Sequence, residues 1–412
     1  MKSQKLSYLL RLLWNNPIFG DSYPSSVYES ETLRQIDDIH ACFSTKFQPI
    51  LAVGMPHSSA KELNEVLDQV APKSIAFCTA ISAGEIEDTQ QLCAVAVAIA
   101  ISYWADQGMD RGDEAMLAAV HHIGAEQRKN TRDTFPASGL VSASLAALRH
   151  IEHQVRQVND HDEDLPYMLR AIYLDVLANQ ARMRELSRRY LTEGESNAFW
   201  DKYAEEAAQK LIADSGLMSA VTVIYAIFRR QQPEIPSLAE IYHHPELMKL
   251  VQGPFNSAIR VFDDLGDRHI DAGQHSQWGV FNINIFNQPN PKFLDTFIKH
   301  SGFEDDILHE NLMTAFTDPN PANRMYVMQV YLDLLRKQVS GLPRPLWEKY
   351  GIFLSLCKRT LEAGLVNSIG DIILTENTEA GAIELDILKL ITQGRPENLE
   401  INCNDYQGVN AL

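Results

Sequence analysis

Apolar residues along this chain recur at spacings of three and four, the signature of helices that bury one face, and strand-like alternation is nearly absent. Between Lys61 and Val70, the residues Leu63, Val66, Leu67 and Val70 fall on one helical stripe. Tyr167 to Tyr190 repeats Leu and Ala between Arg and Glu at the same spacing, Ala198 to Ile212 and Leu217 to Phe228 continue it, and Met325 to Leu335 resumes it. Leu92 to Trp104 is apolar nearly all round, which predicts a helix buried within a bundle. Breaks are expected at Pro136, the polar run Asn159 to Asp164, Pro233 to Pro236, Gly253-Pro254, Pro289 to Pro291 and Pro319 to Pro321. No fixed-period repeat and no long flexible linker is visible. The pattern predicts one all-α domain over residues 1–375 and a loosely ordered tail over 376–412.

Composition narrows the partners. The chain has 412 residues, 45 % hydrophobic and 22 % charged, which is material for a large core. Its 36 basic and 54 acidic residues leave a formal net charge of −18, which argues against non-specific binding to nucleic acid or anionic membrane, both polyanions. An anionic small substrate stays open, because a bound divalent metal inverts the local charge. Cys42, Cys78, Cys93, Cys357 and Cys403 are scattered with no CxxC pair, which fits a reducing compartment and neither a disulfide framework nor a zinc site. No signal-peptide core follows Met1, and the longest mainly apolar run, Leu92 to Ala105, is shorter than the roughly 20 residues that span a bilayer. The expectation is a cytoplasmic protein without a transmembrane segment.

Two acidic constellations carry the candidate chemistry. Asp106 and Asp110 are four apart, neighbours on one helical face about 6 Å apart along the axis, and they end the apolar helix at the mouth of its interior. Asp263, Asp267 and Asp271 form an i, i+4, i+8 series, three carboxylates on one stripe over about 12 Å. Like charges at these spacings destabilise a bare helix, and a hard divalent cation with oxygen ligands would offset the repulsion. Asp264, rotated about 100° from Asp263, is expected to point elsewhere, into a structural pair. Arg260, one turn before Asp263, is expected to contact a diphosphate or an aspartate ligand. Gly266 inside the run costs a helix about 1 kcal/mol relative to Ala.

These residues resemble the metal motifs of the class I terpene synthases. Asp106-Gln107-Gly108-Met109-Asp110, preceded by Tyr103-Trp104, is similar to that family's DDxxD motif, with Gln107 in place of its second aspartate. Arg260-Val261-Phe262-Asp263-Asp264-Leu265-Gly266 resembles the RLxDDLG form of the second motif, with Asp267 and Asp271 where Ser or Thr and Glu are usual. Asp214-Ser215-Gly216, opening Leu217 to Phe228, looks like the small-residue break the family places upstream of that motif. The resemblance covers residues 85–290. It implies a helical bundle around an apolar active-site cavity, with Asp106, Asp110, Asp263, Asp267 and Asp271 as metal ligands and catalytic groups. It also implies Arg260, Arg268, Ser215, Gly216 and Trp104 as substrate-binding residues. The implied cofactor is Mg²⁺, three ions held partly by the substrate diphosphate, with Mn²⁺ able to replace it. The implied partner is an isoprenyl diphosphate of C15 or C20 length, and a homodimer is compatible with the family.

The implied function is ionisation of a linear isoprenyl diphosphate and cyclisation of the carbocation to a hydrocarbon or alcohol. Two alternatives remain: a prenyl-coupling enzyme of the squalene/phytoene synthase or chain-elongating type, and a non-catalytic helical scaffold with solvated acidic stripes. Other signals weigh less. His121-His122 and His243-His244 point about 100° apart on a helix and suit surface or capping roles. Asn159 to Asp164 reads as a solvated loop, Arg229-Arg230 and Lys358-Arg359 as solvated helix ends, and Trp278, Phe281 and Phe286 as core. No GxGxxG, P-loop or GxSxG is present.

Overall fold

A computed structural model describes residues 27–54, 59–82, 85–86, 88–110, 163–171, 176, 178–193, 197–213, 216–266, 290–303, 310 and 321–375. Among the described residues 89 % are helical and none is strand, so the chain is all-α. The helices are α1 (Val27–Gly54), α2 (Ala60–Ser82), α3 (Thr89–Asp110), α4 (Leu165–Arg170), α5 (Ala178–Glu193), α6 (Asn197–Ala213) and α7 (Leu217–Gln231). After them come α8 (Leu238–Tyr242), α9 (Pro245–Leu250), α10 (Asn256–Gly266), α11 (Pro291–Ser301), α12 (Pro321–Ser340) and α13 (Arg344–Thr375). Residues 376–412, the expected tail, and Pro136 lie outside the described residues.

Local chemistry explains where these helices start. Ser59 and Glu62 form a capping box at α2: the Ser59 backbone N–H donates to Glu62 Oε2 at 2.7 Å, and the Glu62 N–H donates to Ser59 Oγ at 3.3 Å. The same contacts hold the Glu62 carboxyl below its ordinary range. Asn290 caps α11, with Pro291 in its first turn, and Gly302 ends it with φ 73°. His244 takes the cap of α9, its Nδ1 accepting from the Leu247 N–H at 3.4 Å. Gly216, with φ 68°, opens α7 where the small-residue break is expected.

The apolar helix α3 is buried as its composition predicts, with Leu92, Val95, Ala96, Val97 and Ala100 all 0 % exposed. Around it pack α1, α2, α5 and α7. A second group assembles on α6, where Trp200 meets Phe293 of α11 at 4.9 Å between ring centroids and Phe199 meets Tyr203 at 4.9 Å. Helix α13 joins the two groups, packing on α2 and α7 on one side and on α10 on the other. Cys42, Cys78, Cys93 and Cys357 are free thiols, and burial pushes the last three up from their ordinary range.

Two expectations are overturned. Gly253-Pro254 does not break the helix: the chain passes from α9 to α10 through a π-helical turn, Val251–Phe255. Pro254 lacks an N–H and its ring crowds the carbonyl four residues back, and the wider turn relieves both conflicts. Gly253 matters for another reason, since a Cβ there would stand 3.3 Å from the Ser301 carbonyl oxygen at the end of α11. Second, Asp164 is not solvated but 2 % exposed; it accepts from Arg229 Nη1 at 2.9 Å and from the Leu238 N–H at 2.8 Å. That also takes Arg229 out of the class of solvated helix ends. Arg359 leaves it too, bridging Glu85 at 2.7 and 2.9 Å. The stretch Ala198–Gln231, which spans α6 and α7, is long and apolar enough by length and composition to cross a membrane, and its apolar window is 87 % buried within the bundle.

The α10–α13 crossing leaves no room for side chains at two glycines. A Cβ on Gly266 would meet Ser368 Cα and Cβ at 2.8 Å, and one on Gly364 would meet Ile259 Cδ1 at 2.7 Å. Gly266→Ala pushes against a helix backbone and is expected to lower stability by about 1–3 kcal/mol. Gly364→Ala displaces the tip of a flexible side chain and should cost less. Urea denaturation of the two variants checks the order.

Candidate functional site

The second acidic motif lies on α10, and its local packing decides what each residue can do. Of this helix's 11 residues, Ile259, Arg260 and Asp263 alone escape full burial. Of the two described acids of the motif, Asp263 is the open one, with a side chain 39 % exposed. Asp264 is turned into the bundle and 0 % exposed. The guanidinium of Arg260 joins the two: Nη2 donates to Asp264 Oδ1, and Nη1 lies 3.3 Å from Asp263 Oδ2. One cation thus serves two carboxylates. The geometry follows from helix spacing, since residues i+3 and i+4 flank the side chain at i. It meets the expectation that Asp264 enters a structural pair.

Asn256 sits one turn before Arg260. It is 5 % exposed, and its Oδ1 makes no hydrogen bond. A buried oxygen left without a donor costs about 1–3 kcal/mol and marks a place for water or a ligand. At the other end of α10, Arg324 of α12 donates from Nη1 to the Leu265 carbonyl at 2.9 Å. Nothing in the sequence around Arg324 distinguishes it, and sequence reasoning misses it.

The first motif lies on α3, whose described residues run to Asp110, and the backbone sets Asp106 and Asp110 one turn apart. The side chains of Trp104, Asp106 and Asp110 lie outside the described residues, as do Ser215, Asp267, Arg268 and Asp271. Trp278, Phe281, Phe286 and the pair His121-His122 lie outside them too. Among the described residues no three His, Cys, Asp or Glu side chains gather as a metal site. Gly216 is described, and it bounds α7 with no heavy atom within 4 Å of where its Cβ would be.

No family model, no curated protein and no solved structure matches the chain.

The pairing pattern separates neighbouring aspartates by stability. Asp264→Asn removes the buried acid of the pair while Arg260 keeps its contact with Asp263, and is expected to cost about 1–3 kcal/mol. Asp263→Asn loses a half-exposed contact and should stay within about 1 kcal/mol of the parent. Chemical denaturation of the two purified variants gives the comparison.

Proposed function

We propose that this chain is a Mg²⁺-dependent class I terpene cyclase, a carbon–oxygen lyase with the helical bundle of that family, acting on a linear isoprenyl diphosphate. The observation that carries the reading is the disposition of Arg260, Asp263 and Asp264 on α10. The acid that would bind metal stays open, while its neighbour is withdrawn into a buried pair.

The donor chemistry fits the metal. All five candidate ligands are carboxylates, the hard oxygen donors that Mg²⁺ prefers, and one or two per ion suffice when phosphate oxygens complete the shell. Asp106 and Asp110 on α3, with Asp263, Asp267 and Asp271, would hold it. Bound there, the metal would neutralise the charge that develops on the departing diphosphate. The chain's own residues do the rest. Arg260 supplies a fixed positive charge beside the diphosphate and holds Asp263 in place. Helix α3, apolar until its acidic end, supplies a dry wall against which a prenyl chain can lie and water is excluded. Its Tyr103 ring, 6.3 Å from that of Phe77, adds an aromatic face of the kind that stabilises cations.

Incubation with C10, C15, C20 and C25 diphosphates and Mg²⁺, read by mass spectrometry, tests the reading. The expected outcome is a cyclic product of unchanged carbon number from the C15 or C20 substrate, lost in excess chelator. A product of summed carbon number would instead identify a prenyl-coupling enzyme, and turnover that survives chelation would refute the metal role. Asp267→Asn and Asp106→Asn are each expected to lower single-turnover rate at least about a hundredfold, equivalent to about 2.7 kcal/mol of transition-state stabilisation. Asp113→Asn, beyond Gly112, should be tolerated.

A further inference from the structure

We infer that Cys42 and Cys93 form a reversible oxidation site, at which hydrogen peroxide converts the two thiols to a disulfide that ties α1 to α3. The inference is independent of the terpene-cyclase reading and needs neither metal nor prenyl substrate.

Three helices bring cysteines to one junction. Helices α1, α2 and α3 pack on one another, and α1 and α2 each present a thiol to the first turns of α3. Cys42 of α1 donates from Sγ to Gln90 Oε1 at 3.5 Å, and Cys78 of α2 donates from Sγ to the Leu92 carbonyl at 3.1 Å. Gln90 lies three residues before Cys93, so the side chain that receives the Cys42 thiol shares a face of α3 with Cys93. The Cys93 thiol in turn comes within hydrogen-bonding reach of Cys42.

The two sulfurs differ in what reaches them. On α1, Phe43 and Phe47 are buried, whereas Cys42 and Lys46, four apart, stand on the half-buried side next to solvent. A soluble oxidant therefore meets Cys42 first. The Lys46 ammonium, whose charge acts at Cys93, gives the pair the electropositive neighbour that marks reactive cysteines. Cys93 is 2 % exposed, and burial, with the contact to Cys42, pushes its thiol up from the ordinary range. It is shielded from oxidant and stays a thiol beside a sulfur that is not shielded. Cys78 is 0 % exposed and its S–H is committed to the Leu92 carbonyl. An accessible sulfur next to a protected one is the arrangement of an attacked and a resolving cysteine.

The Cys42 sulfur, as thiolate, attacks one peroxide oxygen: an S–O bond forms, the O–O bond breaks, and the departing hydroxide takes a proton and leaves as water. The Cys93 sulfur then attacks the Cys42 sulfur: the S–S bond forms, the S–O bond breaks, and the hydroxide leaves with the Cys93 proton as a second water. Two thiols and one peroxide become one disulfide and two waters, two electrons passing from sulfur to oxygen. A dithiol reductant reverses the change by exchange.

The test treats the reduced full chain with hydrogen peroxide, counts thiols, and maps peptides without reduction by mass spectrometry. The expected result is a loss of two thiols per chain, a linked Cys42–Cys93 peptide, and recovery of both thiols with dithiothreitol. Cys42→Ser should keep the Cys93 thiol at the same dose, and Cys93→Ala should leave Cys42 as a sulfenic acid that dimedone traps. The bridge closes a loop of about 50 residues and restricts the unfolded chain, so the oxidised parent should melt higher than the reduced one, a difference absent in Cys42→Ser. If Cys93→Ala does not fold, the parent and Cys42→Ser carry the test. A parent that keeps all five thiols overturns the inference, as does Cys42 driven to sulfinic acid beside an intact Cys93 thiol. A bridge from either residue to Cys78, Cys357, Cys403 or a second chain overturns it too. So does a Cys42–Cys93 bridge that forms only in denaturant or lowers the melting temperature, since the fold would then oppose it.

Discussion

Where α10 meets α13, the two helices touch backbone to backbone, and that contact sets the geometry of everything acidic on α10. Gly266 lies against Ser368, and Gly364 lies against Ile259. Glycine within a helix gives up about 1 kcal/mol relative to alanine, and close packing of two helix surfaces repays it. Because α13 also packs on α2 and α7, this contact ties the acidic helix to the half of the molecule that contains α3. The other end of the strap is ionic, where Arg359 of α13 grips Glu85 in the connection between α2 and α3. The two helices that carry the acidic motifs are thus held through a common third.

Several buried ionic groups hold positions that apolar packing leaves free to slide. Asp164, buried before α4, joins the last turns of α7 to the first residue of α8 through Arg229 and the Leu238 N–H. Arg260 locks two successive acids of one helix, and Arg324 locks that helix to α12. Ion pairs in such places contribute little net stability, yet removing one partner is expensive, so they restrict the alternatives open to the chain. Among the described acids, Asp164, Asp264 and Glu362 are the buried ones.

Helix periodicity is a local property, and the helices it predicts are present: the stripe from Leu63 to Val70 lies on α2, the all-apolar run on α3, and the patterns at 198–212, 217–228 and 325–335 on α6, α7 and α12. The opposite orientations of Asp263 and Asp264 were legible for the same reason, since 100° per residue settles them. What escaped the sequence depends on distant partners. Asp164 is read as solvated because its neighbours are polar, and the arginine that buries it lies 65 positions away. Arg324 has no local signature, because its acceptor is a carbonyl 59 positions back. Gly266 looks like a flaw until Ser368 comes against it. Gly253-Pro254 misleads in a different way, since the local rule is sound and the helix evades it by changing its winding.

That change of winding sets a register. A π-helical turn is an α-helix holding one residue more than its pitch requires, and Val251–Phe255 is such a turn between α9, anchored by the His244 cap, and α10. Because the wider winding absorbs that residue, loss of a single residue there would restore the ordinary pitch and leave α10 in nearly its present phase. A second loss would find no such slack: it would turn α10 by about 100° relative to α9, swing Asp264 toward the open side and Asp263 away from it, and take Gly266 off Ser368. The segment 251–255 thus has one residue to spare and no more, and its length is as much a part of the site as the carboxylates it aims.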